Sequence, residues 1–179
     1  METERLVLRE WQEQDAAPFS AMNADGRVMH HFPSLLTPAE SEALIERNAA
    51  HFAPHGFGLW AVELKATREF AGFIGLSVPR FEAHFTPCVE IGWRLAAQFW
   101  NQGLATEGAR EVLRFAFEGL GLEEIVSFTA AGNGASRRVM EKIGMTRDLD
   151  GDFDHPTLPE GHVLQQHVLY RATATARRR

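Results

Sequence analysis

The stretch Trp100-Asn101-Gln102-Gly103-Leu104-Ala105 combines residue types suited to holding an anion. It follows a run that reads as a strand and opens one that reads as a helix. A helix start presents N–H groups without intrahelical partners, together with a partial positive charge. Gly103 lets the main chain approach a ligand with no Cβ in the way, and Ala105 is nearly as small. The result is a cradle that suits a diphosphate. It is not a Walker loop, because no Gly-Lys-Ser/Thr follows, and it is not Gly-x-Gly-x-x-Gly. A glycine at a helix start also serves as an ordinary tight turn, and the loop in isolation leaves both readings open. A second concentration of reactive types lies near the C-terminus: Asp152, Asp154, His155, His162 and His167. Their spacing matches no zinc pattern, and His155-Pro156 reads as a turn, so a surface loop or pocket wall is expected and no metal. Cys88 is the single cysteine, which excludes an intramolecular disulfide and a Cys-based zinc site. With no base beside it, Cys88 is a poor nucleophile.

The elements that would position these groups follow from period and caps. Leu6, Val7 and Leu8 start a short strand, and Asp15 caps a helix running toward Asn23 and ended by Asp25-Gly26. Thr37-Pro38-Ala39-Glu40 has the form of a capping box with proline at the first helical position, and that helix stops before Pro54-His55-Gly56. Leu59–Leu64 and Phe70–Val78 read as a hairpin about the polar turn at Lys65–Glu69. Cys88–Leu95 alternates, with Val89, Ile91, Trp93 and Leu95 on one face and Glu90, Gly92 and Arg94 on the other. Gly103–Leu120 is helical, with Ala105, Ala109, Val112, Leu113, Ala116 and Leu120 as its buried stripe. A strand over Glu124–Ala130, a helix over Asn133–Ile143 capped by Asn133 and closed by Gly144, and strands near Thr146–Phe153 and Gln165–Arg171 complete the chain. Cys88–Ala130 has the size of a strand–helix–strand crossover, so the sheet is expected to be mixed.

Composition bounds the function. The chain has 179 residues, 45% hydrophobic and 23% charged, enough to bury the core of one domain. Its net charge of −6 argues against a general nucleic-acid binder. No apolar run approaches the ~20 residues needed to cross a bilayer, and the acidic start Met1–Arg5 lacks a secretory apolar region. A cytoplasmic protein without nucleic-acid or membrane partners is expected.

Glu90-Ile91-Gly92-Trp93, Gly103-Leu104-Ala105-Thr106-Glu107 and the spacing Asn133–Ser136–Lys142–Gly144 together resemble the GNAT superfamily of acyl-CoA-dependent N-acetyltransferases. The resemblance is nearest to the subfamily that acetylates ribosomal-protein N-termini at alanine or serine, and to its relatives. It implies an α+β fold of mixed α/β character: a mostly antiparallel twisted sheet with a central splayed parallel strand pair, flanked by helices. One domain is expected over residues 1–172, with a disordered basic tail over 173–179. Where the family's loop often begins with Gln or Arg, this chain has Trp100.

The resemblance also implies a site. Acetyl-CoA would enter where the fourth strand splays from the fifth, its pantetheine arm pairing with the main chain of Ile91, Trp93, Arg94 and Leu95 by strand addition. Its diphosphate would rest on Asn101, Gln102, Gly103, Leu104, Ala105 and Thr106. A main-chain N–H near Trp93 or Arg94 would stabilise the oxyanion. Asn133 would bond the pantetheine arm as well as capping its helix. Ser136 would protonate the leaving thiolate, or give its helix a second cap bond. Glu90, Asp154 and His155 are the candidate bases; Glu90 could equally form an ion pair with Arg94, which shares its strand face. His31 and Trp60 fall where the family builds its acceptor pocket, although core packing is the ordinary role of a tryptophan. The acceptor would be an amine, either a protein N-terminus or a small molecule, and a homodimer is among the expected assemblies. The alternative readings are a non-catalytic acyl-CoA-binding module and a metal-dependent hydrolase built on the C-terminal Asp/His group.

Overall fold

A computed structural model describes residues 1–174. The described strands form one seven-stranded sheet in the order β1-β2-β3-β4-β5-β7-β6. They are β1 (Leu6–Arg9), β2 (Leu59–Leu64), β3 (Phe70–Ser77), β4 (Glu90–Leu95), β5 (Glu124–Ala130), β6 (Thr146–Asp154) and β7 (Gln166–Thr173). All neighbours are antiparallel except β4 and β5, which are parallel and joined through α3 (Leu104–Arg114). Three further helices are α1 (Ala16–Asn23), α2 (Pro38–His55) and α4 (Gly134–Lys142). This is the mixed, mostly antiparallel sheet with a central parallel pair that the sequence implied.

Two faces of the sheet are covered. On one, α3 and the turn that follows it set Ala109, Val112, Leu113 and Ala116 against Leu6, Ile74 and Ile91, all fully buried. The approach is close because Gly108 faces the sheet: a Cβ there would lie 2.5 Å from Ile74 Cδ1. Met140 and Ile143 extend this core toward α4. On the other face Phe19, Met22 and Val28 pack on Phe73 beneath Leu44 and Ile45 of α2.

Local signals explain most element ends. Thr37 Oγ1 accepts from Glu40 N, and the Glu40 carboxylate accepts from Thr37 N at 2.7 Å, so the capping box forms as read. Gly144 takes the left-handed position just beyond α4. Four boundaries differ from the sequence reading. Helix α2 runs through Pro54 to His55, because proline this close to the end costs little further helix; Gly56, left-handed, donates to Phe52 O at 2.8 Å. The α-helix of α3 ends at Arg114 and widens into a π-helical turn over Phe115–Gly119, closed by Leu120 N–H to Phe115 O. Strand β7 carries Thr173, opposite Glu124 of β5, and Ala174 N–H donates to Glu123 O at 3.0 Å, so both residues read as tail are held beside β5; the remainder of that tail, 175–179, lies outside the described residues. Finally, Asp15 makes no cap bond to α1. Its carboxylate accepts from Gln12 N–H at 2.9 Å and from the two terminal nitrogens of the Arg9 guanidinium at 2.7 and 2.8 Å.

Arg9 therefore neutralises two buried carboxylates, since its Nε also donates to Glu63 at 2.9 Å. Asp15 and Glu63 are 1% and 2% exposed. Without Arg9, Glu63 keeps its pair with Arg68 at 2.6 Å, but Asp15 is left as uncompensated buried charge, at a cost of about 3 kcal/mol. Arg9→Leu is expected to lower stability by about that much in urea unfolding. A loss below about 1 kcal/mol would mean that the cluster does not hold β1, β2 and the α1 turn together.

Candidate active site

The parallel pair at the centre of the sheet is open. Ala96 N–H donates to Ala71 O at 2.9 Å, so by the alternation of the ladder Glu90, Gly92 and Arg94 turn their main-chain groups to β3. Ile91, Trp93 and Leu95 turn theirs toward β5. Only one register pair joins β4 to β5 among the described residues, Glu90↔Val126. Val126 N–H donates to Val89 O at 2.9 Å just below it. At the next step the main chains have parted, and the buried Ser127 hydroxyl donates to Ile91 O at 2.9 Å instead. Further along, the Trp100 indole N–H donates to Leu95 O at 2.8 Å. Side chains thus satisfy two carbonyls at the gap, while the main chain of Trp93 faces it. Neither Ser127 nor the indole of Trp100 was singled out from sequence for this task. Of the two N–H groups considered for an oxyanion, that of Arg94 belongs to the β3 ladder and that of Trp93 faces the opening.

The chain leaves β4 through a short 3-10 turn at Ala97–Phe99 and enters α3, so the gap and the helix start share one end of the sheet. Gly103 is the N-cap with φ +80°, and Asn101 is also left-handed at +60°. Asn101, Gln102 and Gly103 are exposed. The first helical bond is Glu107 N–H to Gly103 O at 3.0 Å, which leaves the N–H groups of Leu104, Ala105 and Thr106 ahead of the intrahelical ladder. Space at Gly103 is open: a Cβ would meet only Arg5 Nη2, at 3.6 Å. The residues present therefore fit a diphosphate approaching the helix start. Arg5, which the sequence reading missed, donates to Gln102 O at 3.0 Å and pairs with Glu107 at 2.6 Å, tying β1 to the loop.

On the α1–α2 face of β4 the Glu90 carboxyl lies over Gly92, where an added Cβ would meet Glu90 Oε1 at 3.8 Å and nothing nearer. Its Oε2 accepts from the Ser77 hydroxyl at 3.3 Å, directly across the ladder. Burial pushes the Glu90 carboxyl up to about 8, against a small downward pull from Ser77. Glu90 is nevertheless only partly buried, which tempers that shift. The Glu90–Arg94 ion pair expected as one alternative does not form. Arg94 Nη1 donates to Asn23 Oδ1 at 2.7 Å, and the guanidinium lies 3.9 Å over the Phe32 ring, where burial brings it down to about 10.

The remaining candidates are dispersed. Asn133 caps α4 by accepting from Ser136 N–H at 3.2 Å, and its amide donates to Thr129 Oγ1 and to Ser136 Oγ, so the cap and an oriented Ser136 hydroxyl coexist. His155 sits across the splay in a cluster with Phe81, Phe128, Phe153 and His167, and burial depresses its imidazole below the usual value. His155 Nδ1 lies 2.9 Å from the Thr157 hydroxyl and 3.4 Å from its main-chain N–H. Asp154 is exposed on β6. His31 lies half-buried in the turn after α1, edge-on to His30 and next to Phe32. Trp60 belongs to the core: it is 8% exposed, perpendicular to Phe115 at 5.6 Å and edge-on to Phe52 at 5.4 Å, so packing displaces the pocket role expected of it. Burial pushes the Cys88 thiol up to about 11, away from a reactive thiolate. Among the described residues no group of three or more His, Cys, Asp or Glu is placed to hold a metal ion, and no helix is long and apolar enough to cross a membrane.

Comparison with known proteins agrees with this geometry. Residues 5–146 match the model of the acetyltransferase (GNAT) domain. An FsC-acetyl coenzyme A-N(2)-transacetylase of Aspergillus fumigatus is 39% identical over 130 residues, which is 70% of this chain and 54%, about half, of that relative. A GNAT-family acetyltransferase from Bacillus anthracis superposes with a TM-score of 0.81 at 26% identity, over 98% of each chain. A ribosomal L7/L12 alpha-N-protein acetyltransferase, RimL, solved in complex with coenzyme A, shares the fold with a TM-score of 0.74 at 16% identity, over 97% of each chain. The chain belongs to the GNAT acetyltransferase family and is an acyltransferase.

The Glu90 environment has a consequence for stability. A carboxyl raised from 4.5 to about 8 on folding favours the native state fully below pH 4.5, and that contribution is lost as pH rises through 8. Glu90→Gln is therefore expected to leave the melting temperature near wild type at pH 5 and to raise it relative to wild type at pH 9. Equal melting temperatures at pH 9 would show that Glu90 ionises in the folded protein as freely as in water.

Proposed function

We propose that the protein is an acetyl-CoA-dependent N-acetyltransferase that moves an acetyl group to a primary amine by direct attack on the thioester. The observation that carries this reading is the gap between β4 and β5, with the Trp93 main chain facing it and the free N–H groups of Leu104, Ala105 and Thr106 at its end. Acetyl-CoA supplies the activated acetyl group when bound. Gly103, Leu104, Ala105 and Thr106, with Asn101 and Gln102 shaping the turn, hold its diphosphate; the Trp93 main chain, left unpaired beside the occupied carbonyls of Ile91 and Leu95, meets the pantetheine arm, and Asn133 adds a side-chain amide. Trp93 N–H donates to the acetyl oxygen as negative charge builds there.

Glu90 is the base we favour. It is on β4 itself, beside the open position at Gly92, and its raised affinity for a proton suits removal of one from an alkylammonium group. His155 is less suited, because burial among aromatic rings lowers its affinity for a proton where that of Glu90 is raised. Ser136 Oγ donates a proton to the departing sulfur.

The test is acetyl-CoA-dependent thiol release across a panel of small amines, peptides and ribosomal proteins. The rate is expected to rise with pH toward a plateau above about 8. Glu90→Gln should reduce kcat by about 100-fold or more and flatten that profile, while His155→Ala should keep it. A normal profile in Glu90→Gln together with a lost one in His155→Ala would transfer the role to His155. No release with any amine would refute the reading.

The cradle has its own check in calorimetry with coenzyme A. Gly103→Glu should weaken binding at least about tenfold, by placing a carboxylate beside the diphosphate. Gly103→Ala, which adds only the strain of a left-handed alanine, should weaken it far less. Equal affinity in wild type and Gly103→Glu would remove the diphosphate from this loop.

A further inference from the structure

Beside Glu90, on the side away from the splay, the α1–α2 face holds a recess of about 290 Å³ between α2 and the ends of β2 and β3. Its polar lining is Arg47, Asn48, His51, Ser77 and Arg80, and no carboxylate lines it. Neither Arg47 nor Arg80 forms an ion pair among the described residues. Asn48 is only 7% exposed, yet its Nδ2 has no hydrogen-bond partner, and neither has the buried Nε2 of His51. Burying unsatisfied polar groups is costly, and in native proteins they usually meet a water or a ligand. Another surface depression, of about 440 Å³, offers a contrast. It runs along the outer side of α3, and there three carboxylates share the lining: Arg114 pairs with Glu111 and Glu118, Glu107 pairs with Arg5, and Arg110 donates to Lys142 O.

We propose that this recess binds an anionic group of the acceptor, so that the substrates of this protein are small amines that also carry a carboxylate or a phosphate. The inference rests on the acetyl-transfer reading and deepens it. Two unpaired guanidinium groups supply the attraction and forked donors, and Asn48 and His51 supply polar atoms whose bonding capacity the chain does not use. The connection to the chemistry is Ser77. It lines the recess and its hydroxyl bonds Glu90 across one strand spacing, so a short aliphatic acceptor anchored by its anion reaches the open position at Gly92 with its amine. The volume suits an acceptor of few atoms.

The experiment compares matched acceptors in the thiol-release assay: a series of straight-chain amino acids, with the amine at one end and the carboxylate at the other, against alkylamines of equal length, and phosphoethanolamine against ethanolamine. At least one anionic amine should exceed its neutral partner in kcat/KM by about tenfold. The double variant Arg47→Glu/Arg80→Glu, altered at two exposed positions, should abolish that preference by raising KM for the acceptors that carry a carboxylate or phosphate. The carboxylate or phosphate arm that responds identifies the group. Parity within every pair, survival of the preference in the double variant, or peptides outperforming every small anionic amine would overturn the inference while acetyl transfer stands. Calorimetry of the same acceptors with coenzyme A present keeps the question open to decision if no thiol is released. Binding that weakens at least about tenfold in the double variant supports the anion recess even then, and absence of binding refutes it.

Discussion

One hydrogen bond marks the place on which the site depends: the Ser127 hydroxyl to the carbonyl of Ile91. Two parallel strands in the middle of a sheet ordinarily continue pairing, because unpaired buried main-chain groups are expensive. Here pairing stops after Glu90↔Val126, and a side chain takes over the acceptor that the neighbouring strand abandons. The Trp100 indole does the same for Leu95. With those carbonyls satisfied, the wedge costs less, and what remains turned to it is the main chain of Trp93. The fold thereby presents a strand edge inside a sheet, where an extended amide-bearing ligand can complete the ladder.

The same economy governs Glu90. A guanidinium four residues away on the same strand face would ordinarily neutralise it. Arg94 is instead engaged by Asn23 at the end of α1 and by the Phe32 ring. The carboxyl keeps only a long bond from Ser77, and burial without a countercharge raises its proton affinity. The α1 region thus acts on the chemistry indirectly, by holding away the cation that would have made Glu90 a weak base.

What could be read from the sequence divides along the same line. The capping box at Thr37, the left-handed Gly144 and the glycine at the start of α3 are local codes, each decided within a few residues, and they form as read. The alternation of Cys88–Leu95 assigned the faces of β4, and three motifs in order implied the splayed sheet. The groups that set the site's electrostatics are not local. Ser127 lies 36 residues from the carbonyl it satisfies, and Asn23 lies 71 from Arg94. A serine in a strand and an asparagine at a helix end carry no signal of such partners. Trp60 shows the converse: its place in the chain suggests a pocket wall against the ordinary core role of a tryptophan, and its contacts with Phe52 and Phe115 decide for the core. Residues 47, 48, 51 and 80 belong to two parts of the chain brought together by the sheet, and no spacing in the chain foreshadows their recess.

The charge of the chain sharpens the case for short-range recognition. At a net −6 the protein as a whole repels anions, and yet both proposed ligands are anionic. At physiological ionic strength that repulsion is screened beyond about 8 Å, so what matters is the charge within one contact shell. On the α3 side that shell is made of main-chain N–H groups, whose partial charge cannot titrate. On the α2 side it is made of two unpaired guanidinium groups. Glu90 lies beside the recess, and burial without a countercharge favours its neutral form. It therefore adds little repulsion while ligands assemble, and gains its charge only as the solution becomes alkaline enough to free the amine as well. A carboxylate of ordinary acidity at the same position would carry a full negative charge beside both anions at neutral pH, which gives a physical reason for leaving Glu90 buried without a cation.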